Sequence, residues 1–134
     1  MHVGPLEEMT EEEMKLGLMD KLMGQIRVAR LALPALADGG SITLSSGLAS
    51  RIHRPGWSVL AAVNAGLETF GKAAAVDLPR GIRINIVSPG GVSETMHGAG
   101  WDTSLGTPAA EVALAYVRLV EGQETGAVVD VGRV

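Results

Sequence analysis

A serine and a histidine are the side chains whose types and positions first suggest chemistry. Ser46 follows a short apolar stretch and His53 lies in the loop after it, so a hydroxyl and an imidazole could face one site. A serine nucleophile needs its histidine oriented by an acidic side chain, and no Asp or Glu stands at a spacing that specifies one. The spacing of His, Asp and Glu indicates no metal site. His53 stays a candidate general acid, with an exposed loop histidine as the simpler interpretation.

The elements that must position these residues alternate along the chain. Thr10 and Glu13 form the pattern of a capping box, which predicts the start of a helix. The predicted elements are a helix over 10–36, a strand over 41–44, a helix over 57–78, a strand over 82–87, a helix over 108–120 and a strand over 127–131. This alternation favours parallel crossover units with helices on both faces of a sheet. The fold class is therefore α/β, and three parallel strands alone look like part of something larger.

Composition supports one domain with a closely packed core. The chain has 134 residues, of which 46% are hydrophobic and only 3% aromatic, so aliphatic side chains must fill the core. The helix over 57–78 contains many Ala and Gly residues. Because Gly costs about 1 kcal/mol against Ala inside a helix, we expect close packing against this helix to compensate.

Charge and hydropathy exclude several classes of protein. The net charge of −4 and the pI of about 5.3 argue against binding to a nucleic-acid backbone, which needs clustered Lys and Arg. No apolar run approaches the roughly 18 residues of a bilayer span, and no signal-peptide pattern is present. The absence of Cys excludes disulfides and thiolate chemistry. We expect a cytoplasmic protein.

Four stretches of the sequence, in order, resemble the short-chain dehydrogenase/reductase family. They are GSITLSSG at 40–47, NAGL at 64–67, RGIRINIVSPG at 80–90 and TGAVVDV at 125–131. The resemblance implies the C-terminal part of a Rossmann-like, doubly wound parallel sheet. It also implies NAD(P)-dependent oxidation of alcohols or reduction of carbonyls, with NAD or NADP as cofactor and a small carbonyl or alcohol as substrate.

The half of the family fold that binds the dinucleotide is not recognisable. Such folds place a Gly-rich turn after the first strand; here no strand precedes Gly98 and Gly100, and the Gly90–Gly91 pair belongs to a Pro-Gly turn. We therefore expect one partial domain over 1–134. By the resemblance, the nicotinamide would be flanked by Ser88, Pro89, Gly90 and Gly91, and its carboxamide or a phosphate would be bound by Thr95, with Ser93 as the alternative.

The family's catalytic Tyr and Lys are also missing. Aligning Asn64 with the Lys places Leu60 at the Tyr, while Lys21 stands where the preceding helix of the family usually carries an Asn. The resemblance therefore suggests an exchange, in which Lys21 takes over part of the lysine's work and Asn64 orients it. The alternative is a solvent-facing Lys21 and a packed Asn64.

The resemblance also assigns roles to two other hydroxyl side chains. Ser46, with Ser45 close behind, matches the catalytic serine that would hydrogen-bond a substrate carbonyl; the alternative is a serine that bonds its own backbone. The only tyrosine, Tyr116, is expected to be half-buried and structural.

Two functions of different class follow. The first is an oxidoreductase that is truncated here and impaired, in which case Met1 would be an internal methionine of a longer chain. The second is a non-catalytic interaction module, a homodimer through the helices over 10–36 and 57–78. An unrelated small α/β binding protein would require the motif order to be accidental. The enzyme should bind NAD(P)H, whereas the module should dimerise and bind none.

Overall fold

A three-stranded parallel sheet forms the centre of the fold, and the computed structural model describes residues 3–132. The strands are β1 (Ser41–Ser45), β2 (Arg83–Pro89) and β3 (Val128–Val131), in the spatial order β1-β2-β3. Ile42 pairs with Ile84, and Val87 pairs with Val129. Because all three strands are parallel, their carboxyl ends meet at one edge of the sheet.

Within the described residues, five α-helices accompany the sheet. They are α1 (Glu11–Leu16), α2 (Gly24–Ala32), α3 (Ser58–Ala74), α4 (Ser93–Gly98) and α5 (Ala109–Glu121). A π-helical turn over Gly17–Met23 joins α1 to α2, and a 3-10 turn over Leu33–Ala35 follows; we call this continuous stretch the first helical rod. A second 3-10 turn covers Leu48–Ser50. The capping box at the start of the rod is confirmed, since Thr10 Oγ accepts from the Glu13 N–H at 3.2 Å.

Hydrophobic clusters lie on the two faces of the sheet. On one face, Leu44, Ile84 and Ile86 pack with Ala29 of the rod and Leu67 of α3. On the other face, the cluster joins the sheet to α5 and consists of Val87, Val112, Ala115 and Leu119. Alternate strand residues point to opposite faces, so each strand contributes to both layers. The predicted α/β architecture with helices on both faces is confirmed.

Glycines in α3 allow its close approach to neighbouring elements, as expected from its composition. A Cβ at Gly71 would collide with the side chain of Ile86, and a Cβ at Gly66 would stand 3.2 Å from a methyl of Leu22. Tight contacts therefore exist where a larger residue would push α3 away from the sheet or the rod.

Several predicted boundaries differ from the structure. The predicted helix over 10–36 contains the π-helical turn, whose i→i+5 hydrogen bonds a regular period of 3.6 cannot reveal. β2 continues through Pro89 rather than stopping at Val87, because the carbonyls there still pair with β3. The segment predicted as loop after β2 contains α4. The helix predicted to reach residue 78 gives way to turns after Ala74.

Candidate functional site

The candidate site lies at the carboxyl edge of the sheet. Ser46 and Gly47 follow β1, and Gly90 and Gly91 follow β2. The π-helical turn and α3 pack against each other beside these loops. In open parallel sheets, ligands bind outside the carboxyl ends of the strands, so this edge is where binding or catalysis is expected.

Lys21 projects from the π-helical turn toward the end of β1. Its Nζ donates to Asn64 Oδ1 at 2.7 Å and to the backbone oxygen of Ser46 at 3.1 Å. Desolvation by burial lowers the pKa of the Lys21 ammonium group. An ammonium group carries three N–H donors, and residues 3–132 provide partners for two of them. The third donor is left for a ligand.

Asn64 is held between the end of β1 and the turn after β2. The residue is only 1% exposed, and a Cβ on Gly47 would stand 3.0 Å from Asn64 Nδ2 and 3.5 Å from the Pro89 oxygen. The lack of a side chain on Gly47 lets the three elements meet. The structure thus brings Lys21, Ser46 and Asn64 into one hydrogen-bonded group, while their role in catalysis stays a prediction.

Gln25, which sequence reasoning missed, ties the rod to β1. Its Nε2 donates to the oxygens of Lys21 and Ser45 at 3.2 and 3.0 Å, and its Oε1 accepts from the Ser45 N–H at 2.8 Å. The signal was its position one helical turn after Lys21. This amide fixes the backbone of the turn that carries Lys21.

A buried carboxylate, also missed by sequence reasoning, lies behind Ser46. Glu68 Oε1 accepts from Ser46 Oγ at 2.9 Å and from Ser50 Oγ at 2.8 Å. Arg51 Nη1 donates to Glu68 Oε1 at 3.1 Å, and Arg51 Nη2 donates to Glu68 Oε2 at 3.0 Å. We call Ser46, Ser50, Arg51 and Glu68 the Glu68 cluster. A charged residue one turn after Asn64, in a helix otherwise rich in Ala and Gly, was the available signal.

The Glu68 cluster gives the Ser46 hydroxyl a partner that the resemblance did not foresee. Ser46 is 4% exposed, and its proton is directed at a carboxylate. The expectation that Ser46 donates to a substrate carbonyl stays a prediction. The acceptor of its hydroxyl in the structure is Glu68 rather than its own backbone.

The other hydroxyl groups lie apart from Lys21. Ser45 Oγ and the Tyr116 hydroxyl are hydrogen-bonded to each other at 2.5 Å, which ties β1 to α5. Tyr116 is half-buried, as expected. Leu60 occupies a half-buried position in α3 and offers only hydrocarbon. At the position where the resemblance places the family's tyrosine, this chain therefore has no group that could exchange a proton.

The residues predicted to flank a nicotinamide lie at the end of β2. Ser88 is fully buried, and its Oγ accepts from Arg51 at 3.2 Å, so its hydroxyl is not presented to a ligand. The Gly90 N–H donates to the Val131 oxygen at 2.8 Å, and the Gly91 oxygen accepts from the Thr107 N–H at 2.8 Å. These bonds hold the turn rigidly beside β3.

Two hydroxyl residues of α4 follow this turn. Thr95 is exposed, and its side chain has no hydrogen-bond partner among residues 3–132. Ser93 is less exposed, and its N–H donates to the Thr107 oxygen at 2.9 Å. Neither hydroxyl is hydrogen-bonded within residues 3–132, and Thr95 is the more exposed of the two candidates.

His53 lines a separate, mainly apolar pocket of about 320 Å³. The pocket lies between the segment before the rod and the start of α3, and it is lined by Leu6, His53, Arg54, Gly56, Trp57, Ser58 and Ala61. The Arg54 guanidinium group sits 5.1 Å from the centre of the Trp57 ring. The imidazole of His53 is not hydrogen-bonded to Lys21 or to the Glu68 cluster.

Metal ions and lipid bilayers are two further kinds of partner to consider. Within residues 3–132, no three His, Asp or Glu side chains converge closely enough to hold a metal ion. In the same range, no helix combines the length and the apolar character needed to cross a bilayer.

Sequence comparison places the chain among oxidoreductases. The model of the family described as Enoyl-(Acyl carrier protein) reductase matches residues 2–130. A hydroxynaphthalene reductase of Aspergillus fumigatus is 32% identical over 119 residues, covering 83% of this chain and 44% of the relative. A short-chain dehydrogenase/reductase of Pestalotiopsis microspora is 37% identical over 97 residues, covering 70% of this chain and 37% of the relative. The chain spans less than half the length of these relatives.

Solved structures agree with this placement. A protein from Listeria innocua superposes with a TM-score of 0.89 at 36% identity, over 96% of this chain and 66% of its own. A small-chain dehydrogenase in complex with NADPH gives a TM-score of 0.85 at 28% identity, again over 96% of this chain and 66% of its own.

Proposed function

The chain belongs to the short-chain dehydrogenase/reductase family, and from that premise we propose that it forms part of an NAD(P)-dependent oxidoreductase acting on a small carbonyl or alcohol. The family of the relatives and the NADPH complex of a structural neighbour support this reaction class. The chain covers only part of those proteins, so we assign it the portion at the nicotinamide and substrate. The proposed site residues are Lys21, Ser46, Asn64, Ser88, Pro89, Gly90, Gly91 and Thr95.

The contact between Lys21 and Asn64 carries the proposal. A cation and an amide lie 2.7 Å apart at the sheet edge where ligands bind in such folds. In this family the corresponding positions carry the same two groups with their places exchanged, as the sequence resemblance implies. We propose that Asn64 orients the Lys21 ammonium group. The third N–H of this ammonium group would then reach the nicotinamide ribose or the reacting oxygen.

The residues present fit the nicotinamide end of the cofactor. Thr95 offers a free hydroxyl, Lys21 a free N–H, and Gly47 leaves the edge of the sheet without an intervening side chain. When bound, the nicotinamide would supply or accept the hydride. The turn over Pro89, Gly90 and Gly91 would hold the ring against the end of β2.

Proton transfer in this site falls to Lys21 in our proposal. Leu60 has no proton to give, and the Ser46 hydroxyl already donates to Glu68. The lowered pKa of Lys21 makes its proton easier to release than that of an exposed lysine. Lys21 would protonate the substrate oxygen directly or through water, and His53, in the separate pocket, is the weaker candidate.

Replacing Lys21 tests this role. Lys21→Met removes the cation but keeps most of the side-chain length, and a charge-assisted hydrogen bond contributes about 1.5–3 kcal/mol. We therefore expect NADH or NADPH to bind roughly ten- to hundredfold more weakly in calorimetric titrations, and any carbonyl reduction to fall with it. Lys72→Met, on an exposed lysine of α3, is the matched control and should bind like the wild type. Equal affinities for Lys21→Met and wild type would refute the role of Lys21.

A non-catalytic homodimer is the second candidate. Two observations favour it: Leu60 has no proton to transfer, and the Ser46 hydroxyl already donates to Glu68. The rod exposes Leu16, Met19, Val28 and Leu31, which suits helix–helix pairing. This candidate expects a dimer that binds neither nucleotide, so the same titrations separate the two functions. In either case we propose a cytoplasmic protein.

A further inference from the structure

Arg51 joins the ends of all three strands. Its guanidinium group contacts Glu68 twice, Ser88 Oγ at 3.2 Å and Asp130 Oδ1 at 3.1 Å. Ser88 belongs to β2 and Asp130 to β3, while Arg51 itself lies in the loop after β1. Glu68 is 7% exposed, so its charge is removed from water and needs this partner.

Ser46 connects this ion pair to the candidate site. Its hydroxyl donates to Glu68, and its backbone oxygen accepts from Lys21 Nζ. Asn64, the other acceptor of Lys21, lies one helical turn before Glu68 on the same face of α3. Both acceptors that hold the ammonium group are therefore fixed by α3, one directly and one through Ser46.

We propose that Glu68 and Arg51 are positioning residues for Lys21. Glu68 fixes, through Ser46, the backbone oxygen that accepts from the Lys21 ammonium group. Arg51 balances the charge of the Glu68 carboxylate, so that Lys21 does not form an ion pair with Glu68. This inference rests on the proposed role of Lys21. It adds that a neutral pair beside Lys21 keeps the ammonium proton available for transfer.

The charges around Lys21 are consistent with this arrangement. On its own helical stretch the nearest charged residue is the exposed Asp20. Arg51 of the loop after β1 pairs with Glu68 of α3 and with Asp130 of β3. Within residues 3–132, no carboxylate forms an ion pair with Lys21. Desolvation is accordingly the cause of the lowered Lys21 pKa, without an opposing carboxylate.

A double-mutant cycle read on Lys21 itself tests the proposal without any nucleotide. The chain has three lysines, so NMR titration of a lysine-labelled chain resolves Lys21, assigned by Lys21→Met, beside the exposed Lys15 and Lys72. Arg51→Gln leaves the carboxylate unbalanced and should lower the acid dissociation constant of Lys21 roughly three- to tenfold. Glu68→Gln leaves Arg51 with the half-exposed Asp130 as its remaining counter-charge and should raise the acid dissociation constant of Lys21. Arg51→Gln/Glu68→Gln should return it to the wild-type value.

Opposite shifts that cancel in the double variant would establish the pair as the charge balance of the site. A purely structural pair would move both single variants in the same direction or in neither, and that result would overturn the proposal. Arg51→Lys retains the cation beside Glu68, so the acid dissociation constant of Lys21 in this variant should match that of the wild type. If Arg51→Gln does not fold, Glu68→Gln and Arg51→Lys decide alone, and an unchanged Lys21 in Glu68→Gln refutes the proposal. The NMR titration of Lys21 uses no nucleotide, so its result stands even if NADH and NADPH do not bind.

Discussion

At the level of single residues, the site combines a lysine–asparagine hydrogen bond, which we propose to be an exchange of the family's two side chains, with the partial burial of the lysine. Lys21 projects from the rod, and Asn64 Oδ1 of α3 accepts a hydrogen bond from its Nζ. A lysine carries its charge on a flexible stem and loses hydration when it is covered. The short bond to Asn64 and the one to Ser46 offset part of that loss, and what is not offset appears as a lowered pKa.

The lowered pKa of Lys21 predicts a pH dependence of stability. Between the folded-state pKa and the ordinary value of 10.5, the unfolded chain binds more protons than the folded chain. The free energy of unfolding of the wild type should therefore rise with pH in this window, relative to that of Lys21→Met. Urea denaturation at several pH values between 7 and 11 measures the difference.

The control for this titration is Lys72→Met, which removes an exposed lysine. Its difference from wild type should stay flat over the same range, because an exposed lysine has nearly the same environment in both states. A flat difference for Lys21→Met as well would mean that Lys21 is hydrated in the folded chain.

At the level of elements, the sequence predicted most of the order and part of the geometry. Local spacing and composition predict the capping box at Thr10, the three strands and the Ala- and Gly-rich helix α3. They predict neither the π-helical turn nor the surroundings of Glu68, because each depends on contacts between segments distant in sequence. Glu68 alone looks like a solvated helix residue; only the folded chain places Arg51, Ser46 and Ser50 around it.

The space around two helical glycines, Gly71 of α3 and Gly24 of α2, predicts opposite effects of an alanine at each. Gly71→Ala places a methyl against the fully buried Ile86, so we expect a loss of about 1–3 kcal/mol of stability despite the better helix propensity. Gly24→Ala meets only the Met19 oxygen at 3.8 Å and should gain up to about 1 kcal/mol.

Chemical denaturation of both variants gives the two free energies. Adding Ile86→Val, which removes the colliding methyl, should recover part of the loss in Gly71→Ala. If Gly71→Ala is as stable as Gly24→Ala, α3 does not approach β2 as closely as the structure describes.

At the level of the whole molecule, apolar surface remains on the outer face of the rod. Val28 and Leu31 are 68% and 69% exposed, and the neighbouring outward face of α3 carries the exposed Ala62 and Ala65. Small residues let helices from two copies approach closely, and large apolar residues beside them would be covered. The same pair of helices would thus position Lys21 and Asn64 on its inner side and bind a second copy on its outer side.

This arrangement predicts a homodimer that a single charge disrupts. Light scattering after size exclusion should give a mass near twice the 13.9 kDa of the chain. Ala65→Glu places a carboxylate on the outer face of α3 and should return the chain to a monomer, because a two-fold axis would bring two such charges together. Leu114→Glu changes an equally outward residue of α5, on the opposite face of the sheet, and should leave the dimer intact. A dimer that survives Ala65→Glu but dissociates with Leu114→Glu would move the interface to α5 and separate subunit pairing from the helices that hold Lys21.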